Sequence, residues 1–454
     1  MADFSALHVA LSGLRAAQLA MDTASHNVSN ANTPGFTRQR VDLASRYPRM
    51  TPDGQVGMGV KVTDITRIRD AFLDARFRSS IAAHHSMETR SAFLDRAELV
   101  LAEPDMGISS ELGRLFDAFE DLALNPPDTS SRISVIEQLG ALTGRINETA
   151  SGLNKLSQDA VTAIRATIDE INSIATQIAD LNVAILDAST DVGTPNDLMD
   201  QRDVLVDRLA ELTGATAALE DNGSVRVSIG GISLVSGALA RPLSYDETTG
   251  QVLHASGVAV VPGGELRGMH LAVTEDIPAL MGQLDTFVVN LVDQINTIHG
   301  AGFLPGGGAG GDLLSYDPSA PSLSLTVAIT DPADLATAGS AGPPYPTFDG
   351  SIADQLADLR TAPVVAGRSL LDSYRAFVTV LGQEASTARM SADTQAGLAS
   401  AAEIARTSSH GVSVDEEMVN LIEFQRMYEA AARVITTVDQ ALDTVINRMG
   451  VVGR

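Results

Sequence analysis

SVDEEMVNLIEFQRMYEAAARVITTVDQALDTVINRM spans residues 413–449 of the 454-residue sequence. Its apolar side chains recur in steps of three and four, which is the spacing of a helical heptad stripe. The members of the stripe are Leu421, Phe424, Tyr428, Ala431, Ile435, Val438, Leu442, Val445 and Met449. The part from Leu421 to Met449 is about 40 Å long as a helix at 1.5 Å per residue. We therefore expect a long terminal helix that packs along a partner.

A second stripe of the same type lies at the other end of the sequence. Residues 3–30 also place apolar side chains on alternating steps of three and four, with Gln18 and Ser25 in the remaining places. The apolar members are Phe4, Leu7, Leu11, Leu14, Met21 and Val28. Pro34 cannot continue a helix and Gly35 accepts positive φ, so we expect the helix to end before them.

Neither terminal helix is expected to be stable alone. Burying one apolar stripe stabilises a helix by less than the ordering of its backbone costs, and a lone helix in water is marginal. We hypothesise that both ends are mobile in the free subunit. They would become ordered when they pair with each other and with neighbouring subunits, so both stripes are predicted to be assembly interfaces.

Between its ends the sequence predicts a helical part and a β-rich part. Helical periodicity covers 64–102, 109–125, 129–188, 196–213, 277–299 and 369–408, whereas 41–66 is predicted to be extended or turn-rich. Residues 224–229 alternate before Gly230-Gly231, the run 247–250 lies between apolar flanks as a hairpin signature, and 323–329 is β-like. The fold class is therefore mainly α with a β-rich insertion.

Composition and charge argue against several classes of function. The formal net charge of −26 repels nucleic-acid phosphates and anionic membrane surfaces, so we expect neither as a partner. The most basic stretch, 38–78, is interspersed with aspartates and is predicted to be a solvated or salt-bridged face. Cys is absent, and we expect neither a Sec-type signal peptide nor a membrane span.

The motifs that suggest chemistry all have simpler structural explanations. His84, His85 and Glu88 resemble metal ligands, yet adjacent histidines on a helix point to different sides. The glycines of 306–311 lack the Lys and the strand-to-helix context of a phosphate-binding loop. The acidic run 415–417 falls in the first turn of the last helix, where capping explains it. We predict no catalytic residue, no cofactor and no metal.

Two terminal signatures resemble those of the flagellar rod, hook and hook-associated protein family. The N-terminal signature comprises Ser12-Gly13-Leu14, Ala20-Met21-Asp22 and the run that starts at His26. Its motif residues after His26 are Asn27, Ser29, Asn30, Ala31, Asn32, Thr33, Pro34, Gly35 and Phe36. The C-terminal signature is similar in 413–418, at Tyr428 and in 431–439.

Three internal stretches resemble the hook-associated members of that family in particular. They are 125–128 leading to Arg132, 200–214 and 296–303. The resemblance covers nearly the whole chain and is weakest in the β-rich middle, where this sequence is shorter than relatives with an additional outer domain. It implies a structural subunit that forms the junction between hook and filament.

The resemblance also implies a layered, flagellin-like architecture. A terminal coiled-coil assembly domain is expected at 1–35 and 410–454, and a helical body at 36–213 and 350–409. A β-rich outer domain is expected at 214–349. The segment 272–303 fits either the body or the outer domain.

Export and partners follow from the same resemblance. It implies passage through the flagellar type III apparatus and an extracellular place in the flagellum. The expected partners are other copies of the chain in a ring, the hook protein, a second junction protein, and a cytoplasmic chaperone on the C-terminal helix. One alternative is a distal rod or hook subunit, which should lack 200–214 and 296–303. Another is a soluble enzyme on a helical scaffold, since a spatially assembled site needs no local motif.

Overall fold

The computed structural model describes residues 5–51, 54–103, 107–191, 194–341 and 348–444. Phe4, Val445 and Met449 of the predicted stripes lie outside the described residues. The described part is mainly helical with a β-rich insertion, which confirms the predicted fold class.

Helices form most of the described part of the molecule. They are α1 (Ser5–Asn30), α2 (Ala71–Leu101), α3 (Ile108–Leu124), α4 (Thr129–Asp191), α5 (Asn196–Thr213), α6 (Gly264–Leu271), α7 (Ile277–Gly300), α8 (Pro321–Ser324), α9 (Ser351–Asp358), α10 (Leu370–His410) and α11 (Val414–Asp443). A π-helical turn, Ala272–Asp276, joins α6 to α7. The helices predicted at 109–125, 129–188, 196–213, 277–299 and 369–408 are confirmed within a few residues as α3, α4, α5, α7 and α10.

The strands form two groups and one short pair. Between α1 and α2 an extended arm contains β1 (Gln39–Ser45), β2 (Arg49–Thr51), β3 (Gly54–Val56) and β4 (Val60–Arg67). The insertion after α5 contains β5 (Thr216–Leu219), β6 (Val225–Ile229), β7 (Ile232–Ser236), β8 (Leu239–Ala240), β9 (Leu243–Asp246), β10 (Gln251–His254) and β11 (Ala259–Val260). The pair after α7 is β12 (Leu314–Ser315) and β13 (Thr326–Val327).

Helix α2 begins later than predicted, because the segment expected to be helical from residue 64 continues as strand β4. That strand pairs antiparallel with β1, with Val41 opposite Ile65. Its β-branched side chains favour the strand over the helix. The side chain of Asp70 accepts hydrogen bonds from the backbone N–H groups of Phe72 and Leu73 and so caps the start of α2.

The β-rich insertion has the hairpins that its sequence predicts. Tyr245 pairs with Val252 across β9 and β10, which places the turn at the predicted residues 247–250. Gly230 and Gly231 join β6 to β7 with φ of +56° and +82°. Two consecutive positive φ angles are typical of a type I′ hairpin turn, which glycine adopts without steric cost. The strands form a four-stranded sheet, β5-β6-β7-β8, and a three-stranded sheet, β11-β10-β9.

Two asparagines of α4 attach this insertion to the helices. The side chain of Asn172 donates to the backbone oxygen of Leu243 at 2.9 Å and accepts from its nitrogen at 2.8 Å. The side chain of Asn182 likewise donates to the backbone oxygen of Val225 at 3.0 Å and accepts from its nitrogen at 2.9 Å. Each amide thus bonds the backbone as a neighbouring strand would. Arg202 of α5 donates to Asn182 Oδ1 at 3.0 Å, so α5 takes part in the attachment.

One continuous hydrophobic core joins the helices and the insertion. Leu139, Leu142 and Ile146 of α4 are fully buried in it, and Val227 and Leu234 enter it from the strands. Helix α10 lies along α2, and α7 packs against α4 and α10. Helix α7, which the sequence could assign either to the helical body or to the outer domain, therefore packs with the helices of the body. The core runs across the expected boundary at 214, and the division into domains stays a prediction.

Two of the three family-like internal segments meet at the loop that follows β13. Arg132 donates to the backbone oxygen of Leu335 at 2.6 Å and to Thr337 Oγ1 at 3.1 Å, although 203 positions separate Arg132 from Leu335. His299, which is fully buried, accepts a hydrogen bond from the backbone N–H of Ala336 at 2.8 Å on Nε2. Both side chains therefore attach the same loop to the helical body.

Candidate assembly interface

Helices α1 and α11 pack side by side and run antiparallel. Asn27 near the end of α1 contacts Glu417 near the start of α11, and Gly13 lies against Ala431. A Cβ atom added at Gly13 would be 3.8 Å from the Cβ of Ala431, so the two backbones approach closely. The buried residues of α1 are mostly small: Ala10, Ser12, Ala16, Ala17, Ala20, Thr23, Ala24 and Asn27. Short side chains at the contact permit this close approach.

The predicted N-terminal stripe flanks this contact rather than filling it. Leu7, Leu11, Leu14, Met21 and Val28 are half-buried. At 3.6 residues per turn, their stripe is rotated by roughly a third of a turn from the buried alanine face. The alanines make the closest contact because they let the helices approach. The larger side chains remain partly open to solvent.

The described members of the C-terminal stripe lie on the side of α11 that packs on α1. Leu421, Phe424, Tyr428, Ala431, Ile435, Val438 and Leu442 are all half-buried. The three-and-four periodicity of the sequence therefore predicted which side of this helix makes the contact. Whether these residues also contact neighbouring subunits stays a prediction.

A further apolar surface of α11 was not recognised in the sequence. Val414, Met418, Val419 and Ile422, which we call the outer stripe, are between 45% and 64% exposed. Val419 and Ile422 lie on the opposite side of α11 from the half-buried stripe, Met418 lies at its flank, and Val414 lies one heptad before Leu421. The spacing of Val414, Met418 and Ile422 by four residues is the signal that could have identified them.

Asn27 of the family motif connects α1, α11 and β1. Its Nδ2 donates to the backbone oxygen of Gln39 at 2.8 Å and to Glu417 Oε2 at 3.0 Å. Its Oδ1 accepts from the Gln39 backbone nitrogen at 3.0 Å. Asn27 and Glu417 are only 1% and 3% exposed. A buried amide that satisfies both a backbone pair and a carboxylate fixes how these three elements meet.

Glu417 has a more specific role than the helix capping that the sequence suggested. It is the one fully buried residue within the described part of α11. Its Oε1 accepts a hydrogen bond from Arg38 Nε at 2.8 Å, so the buried carboxylate is paired with a charge. Ser413 is the capping residue, and its side chain accepts from the backbone N–H of Glu416. Capping explains the remainder of the acidic run.

The rest of the motif forms the turn from α1 into β1. Asn30 donates to the backbone oxygen of His26 at 3.1 Å, and Thr33 Oγ1 donates to Asn30 Oδ1 at 3.2 Å. Ala31 and Phe36 are half-buried, and Ser29, Asn32 and Pro34 are exposed. Helix α1 ends at Asn30, before Pro34 and Gly35, as predicted.

Gly35 is required by its conformation and by its neighbour. Its φ is +80°, which side chains other than glycine rarely adopt. A Cβ atom there would lie 2.1 Å from Cγ2 of Val204 on α5. The motif turn therefore sits directly on α5, which belongs to the family-like segment 200–214.

Arginines of the basic stretch bind aspartates of α5. Arg67 Nη1 donates to Asp200 Oδ1 and to Asp203 Oδ2, both at 2.7 Å. Arg78 Nε donates to Asp207 Oδ1 at 2.6 Å, and Arg406 of α10 donates to Asp207 Oδ2 at 2.6 Å. The sequence suggested a salt-bridged face within this stretch, but three of its acidic partners, Asp200, Asp203 and Asp207, lie about 130 residues away on α5.

Arg69 and Asp74 complete this cluster, which we call the arginine–aspartate joint. Arg69 bonds Asp203 and both carboxylate oxygens of Asp74. Burial opposes the charge on each, but for Arg69 the hydrogen bond to Asp74 and the charge of Asp203 outweigh it and raise its pKa. For Asp74 the bonds from Arg69 likewise outweigh burial and lower its pKa. Thr37 N donates to Asp200 Oδ2 at 3.0 Å, so the joint reaches the motif turn.

The joint also borders a cavity of about 600 Å³ between α2 and β5. Arg69, Asp74, Arg78 and Asp203 line it, and each of them is already engaged in an ion pair. The perturbed pKa values beside the cavity thus have a structural cause, because ion pairs within a network shift the pKa values of their members.

Among the described helices, none has the length and apolarity to cross a membrane.

Three protein families match the chain. The family described as "Flagellar hook-associated protein FlgK helical domain" matches 94–314. "Flagellar basal body rod FlgEFG protein C-terminal" matches 406–449, and "Flagella basal body rod protein" matches 7–37. The match at 406–449 includes α11, and the match at 7–37 covers most of α1 and the turn that follows it. These matches confirm that both ends of the sequence have the signatures of flagellar rod proteins.

Relatives match over the full length. The flagellar hook-associated protein 1 of Bacillus subtilis (strain 168) is 31% identical over 512 aligned positions, covering 99% of each chain. That of Escherichia coli (strain K12) is 27% identical over 548 positions, covering 98% of this chain and 99% of the relative. Both alignments exceed the 454 residues of this chain, so the relatives contain segments that it lacks.

One solved structure shares the fold. The flagellar hook junction protein FlgK from Burkholderia pseudomallei superposes with a TM-score of 0.66 at 16% identity. The match covers 75% of this chain and 100% of that chain.

Paired terminal helices, the two rod-type signatures and the long helical body define a structural protein of the bacterial flagellum. More narrowly, the chain belongs to the flagellar hook-associated protein 1 family, the structural proteins of the hook–filament junction. The alternative of a distal rod or hook subunit is thereby set aside.

Proposed function

We propose that this chain assembles at the hook–filament junction through the paired helices α1 and α11. The observation that carries the proposal is the outer stripe, whose four apolar side chains stay about half exposed or more while the half-buried stripe of α11 packs on α1. Because these side chains are already about half buried, covering the rest of one against a neighbour stabilises association by roughly 0.7–1.5 kcal/mol. The half-buried stripe of α1 adds a second apolar surface.

The neighbours that would cover these surfaces are other copies of the chain in a ring, the hook protein on one side and a second junction protein on the other. Family membership supports this arrangement. The arginine–aspartate joint would transmit torque between the terminal pair and the helical body, because several buried ion pairs connect the arm, α2, α5 and α10.

We infer that the far ends of the two helices become ordered on assembly. Asn27 and Glu417 attach one end of the antiparallel pair to β1, and the opposite ends extend away from that attachment. Hydrogen exchange on the dilute monomer should show protection that falls from Asn27 toward Ser5 and from Glu417 toward Asp443. Full and uniform protection of both helices would contradict this inference.

Export is proposed to follow the flagellar type III route, with an extracellular location in the flagellum. Family membership supports both, and a cytoplasmic chaperone on the C-terminal helix would cover the outer stripe before assembly. We also infer that the chain is not an enzyme, because its family is one of structural proteins and because Arg69, Asp74, Arg78 and Asp203 beside the cavity are already engaged in ion pairs.

The outer stripe supplies the test. A Met418→Asp/Ile422→Asp double variant places two charges where a neighbour should pack, and both positions are solvent-exposed in the monomer. We expect a folded monomer by circular dichroism that fails to join purified hooks in electron micrographs. Leu239→Asp, at a 53% exposed position of β8, is the matched control and should join normally. Normal joining by the double variant would refute the proposal.

A further inference from the structure

A cluster of two imidazoles and one carboxylate lies in the middle of α2. His84 Nε2 is 3.7 Å from Glu88 Oε2, and His85 Nδ1 is 3.1 Å from the same oxygen. One ligand atom from each of the three residues lies within 4.8 Å of the other two. We propose that His84, His85 and Glu88 bind one divalent transition-metal ion.

The geometry of the helix explains how adjacent histidines can share an ion. Neighbouring residues on a helix are rotated by about 100°, which is why the sequence alone suggested that the two rings diverge. Glu88 lies four residues after His84 and three after His85, and both spacings place side chains on the same helix surface. Its carboxylate lies between the rings, whose centroids are 5.1 Å apart.

The donor set suits Zn²⁺. Zinc takes imidazole nitrogen at about 2.0–2.1 Å and carboxylate oxygen at about 2.0–2.2 Å, and sites with three protein ligands keep water in the fourth position. Donors around a tetrahedral ion of that size are about 3.4 Å apart. The contacts of 3.1 and 3.7 Å are close to this value, and the two imidazole donors lie within 4.8 Å of each other, so they would approach by up to about 1.4 Å to complete the site. Among the described residues no other His, Asp or Glu joins the group.

The cluster is open to an ion and is not committed to other partners. The side chains of His84, His85 and Glu88 are 20%, 29% and 56% exposed. His84 Nδ1 is buried without a hydrogen-bond partner among the described residues, so no such bond holds this ring in place. The net charge of −26 also raises the local concentration of cations near the protein.

The position of the cluster indicates what a bound ion would stabilise. Helix α6 contacts α2 at the same turn, and a Cβ atom added at Gly268 would lie 2.6 Å from the backbone oxygen of Ser86. An ion held by residues 84–88 would restrain that turn and with it the contact between α2 and α6. This role is independent of the assembly proposed above.

Titration calorimetry with Zn²⁺ tests the site, using the full chain without a histidine tag and after removal of metal with chelator. We expect one ion per chain and a midpoint of thermal unfolding that rises with Zn²⁺. His85→Gln and Glu88→Gln should each weaken binding at least tenfold, since even outer-shell partners of metals contribute about 10- to 100-fold. Glu88 is mostly exposed, so its variant should fold normally.

His26→Gln is the matched control. The His26 ring contacts Asp197 at 3.4 Å, but no third ligand joins that pair in the part of the chain that the structure describes, so zinc affinity should not change. The absence of saturable binding would overturn the proposal. Unchanged affinity in Glu88→Gln, or an equal loss in His26→Gln, would overturn it as well.

Discussion

Replacing Asn27 by Ala should loosen the attachment of the terminal helices without unfolding the body. The substitution removes both bonds of its Nδ2, to the Gln39 backbone oxygen and to Glu417, and the bond that its Oδ1 accepts from the Gln39 nitrogen. The side chain is 1% exposed, so water does not readily replace these bonds. The body has its own core, which this change leaves intact.

The magnitude follows from the bonds that are lost. The two bonds with the backbone of Gln39 contribute about 1 kcal/mol each, and the bond to the Glu417 carboxylate contributes about 1.5–3 kcal/mol. Glu417 keeps its hydrogen bond from Arg38 in the variant, so the loss of the bond between Asn27 and Glu417 should cost an amount near the lower limit of that range. The free energy of opening at this attachment should therefore fall by roughly 3–5 kcal/mol.

Hydrogen exchange measures this loss directly. At about 1.4 kcal/mol per tenfold, the backbone amide of Gln39 and those of the first turns of α11 should exchange roughly 10²–10⁴ times faster than in the parent chain. Amides in the middle of α4 should not change. Ser29→Ala in the same motif is the control, because the exposed Ser29 Oγ donates only to Ser25 O at 2.8 Å.

Equal exchange rates at these amides in Asn27→Ala and Ser29→Ala would contradict the role of Asn27. An equal loss of protection in α4 and α11 would contradict it too, since the attachment and the body would then open as one unit.

Three further perturbations test other parts of the structure. Gly35→Ala should destabilise the fold by about 2–4 kcal/mol in urea unfolding, because alanine would need a positive φ and its Cβ would overlap with Val204. Adding Val204→Ala should remove the overlap but not the cost of the positive φ. Arg132→Lys should cost about 2–4 kcal/mol in the same assay, because an ammonium cannot reach Leu335 O and its other acceptors together. Burial lowers the pKa of His299 below its ordinary 6.5, although its hydrogen bond to Gly311 opposes the shift. The contribution of the neutral ring to stability should therefore be fully present above pH 6.5 and decrease as the pH falls, because the unfolded chain binds the proton first. Unfolding midpoints measured between pH 5 and 8 should decline less in His299→Gln.

Local patterns predicted most of the secondary structure and the surface by which α11 pairs with α1. The helical stripe of α11, the stop at Pro34-Gly35 and the hairpin at 247–250 each depend on residues a few positions apart. Backbone hydrogen bonds in helices and turns join near neighbours in sequence, so a short window contains the whole cause. The start of α2 was missed because periodicity alone does not distinguish the end of a strand from the start of a helix.

The candidate site was only partly predictable. The motif identified Asn27, but nothing near Glu417 in sequence shows that it pairs with Asn27 and Arg38, some 380 residues away. The arginine–aspartate joint is similar, since Asp200 and Asp203 meet Arg67 only after α5 has packed beside the arm.

The sequence by itself determined the helical composition of this chain, its two terminal stripes and its family. Only the tertiary structure decided that alanines make the closest contact of α1, that the outer stripe stays exposed, and that His299 and Arg132 attach one loop. The physical reason is that periodicity specifies which face of a helix is apolar. Which apolar or charged group it meets depends on where distant parts of the chain come to lie.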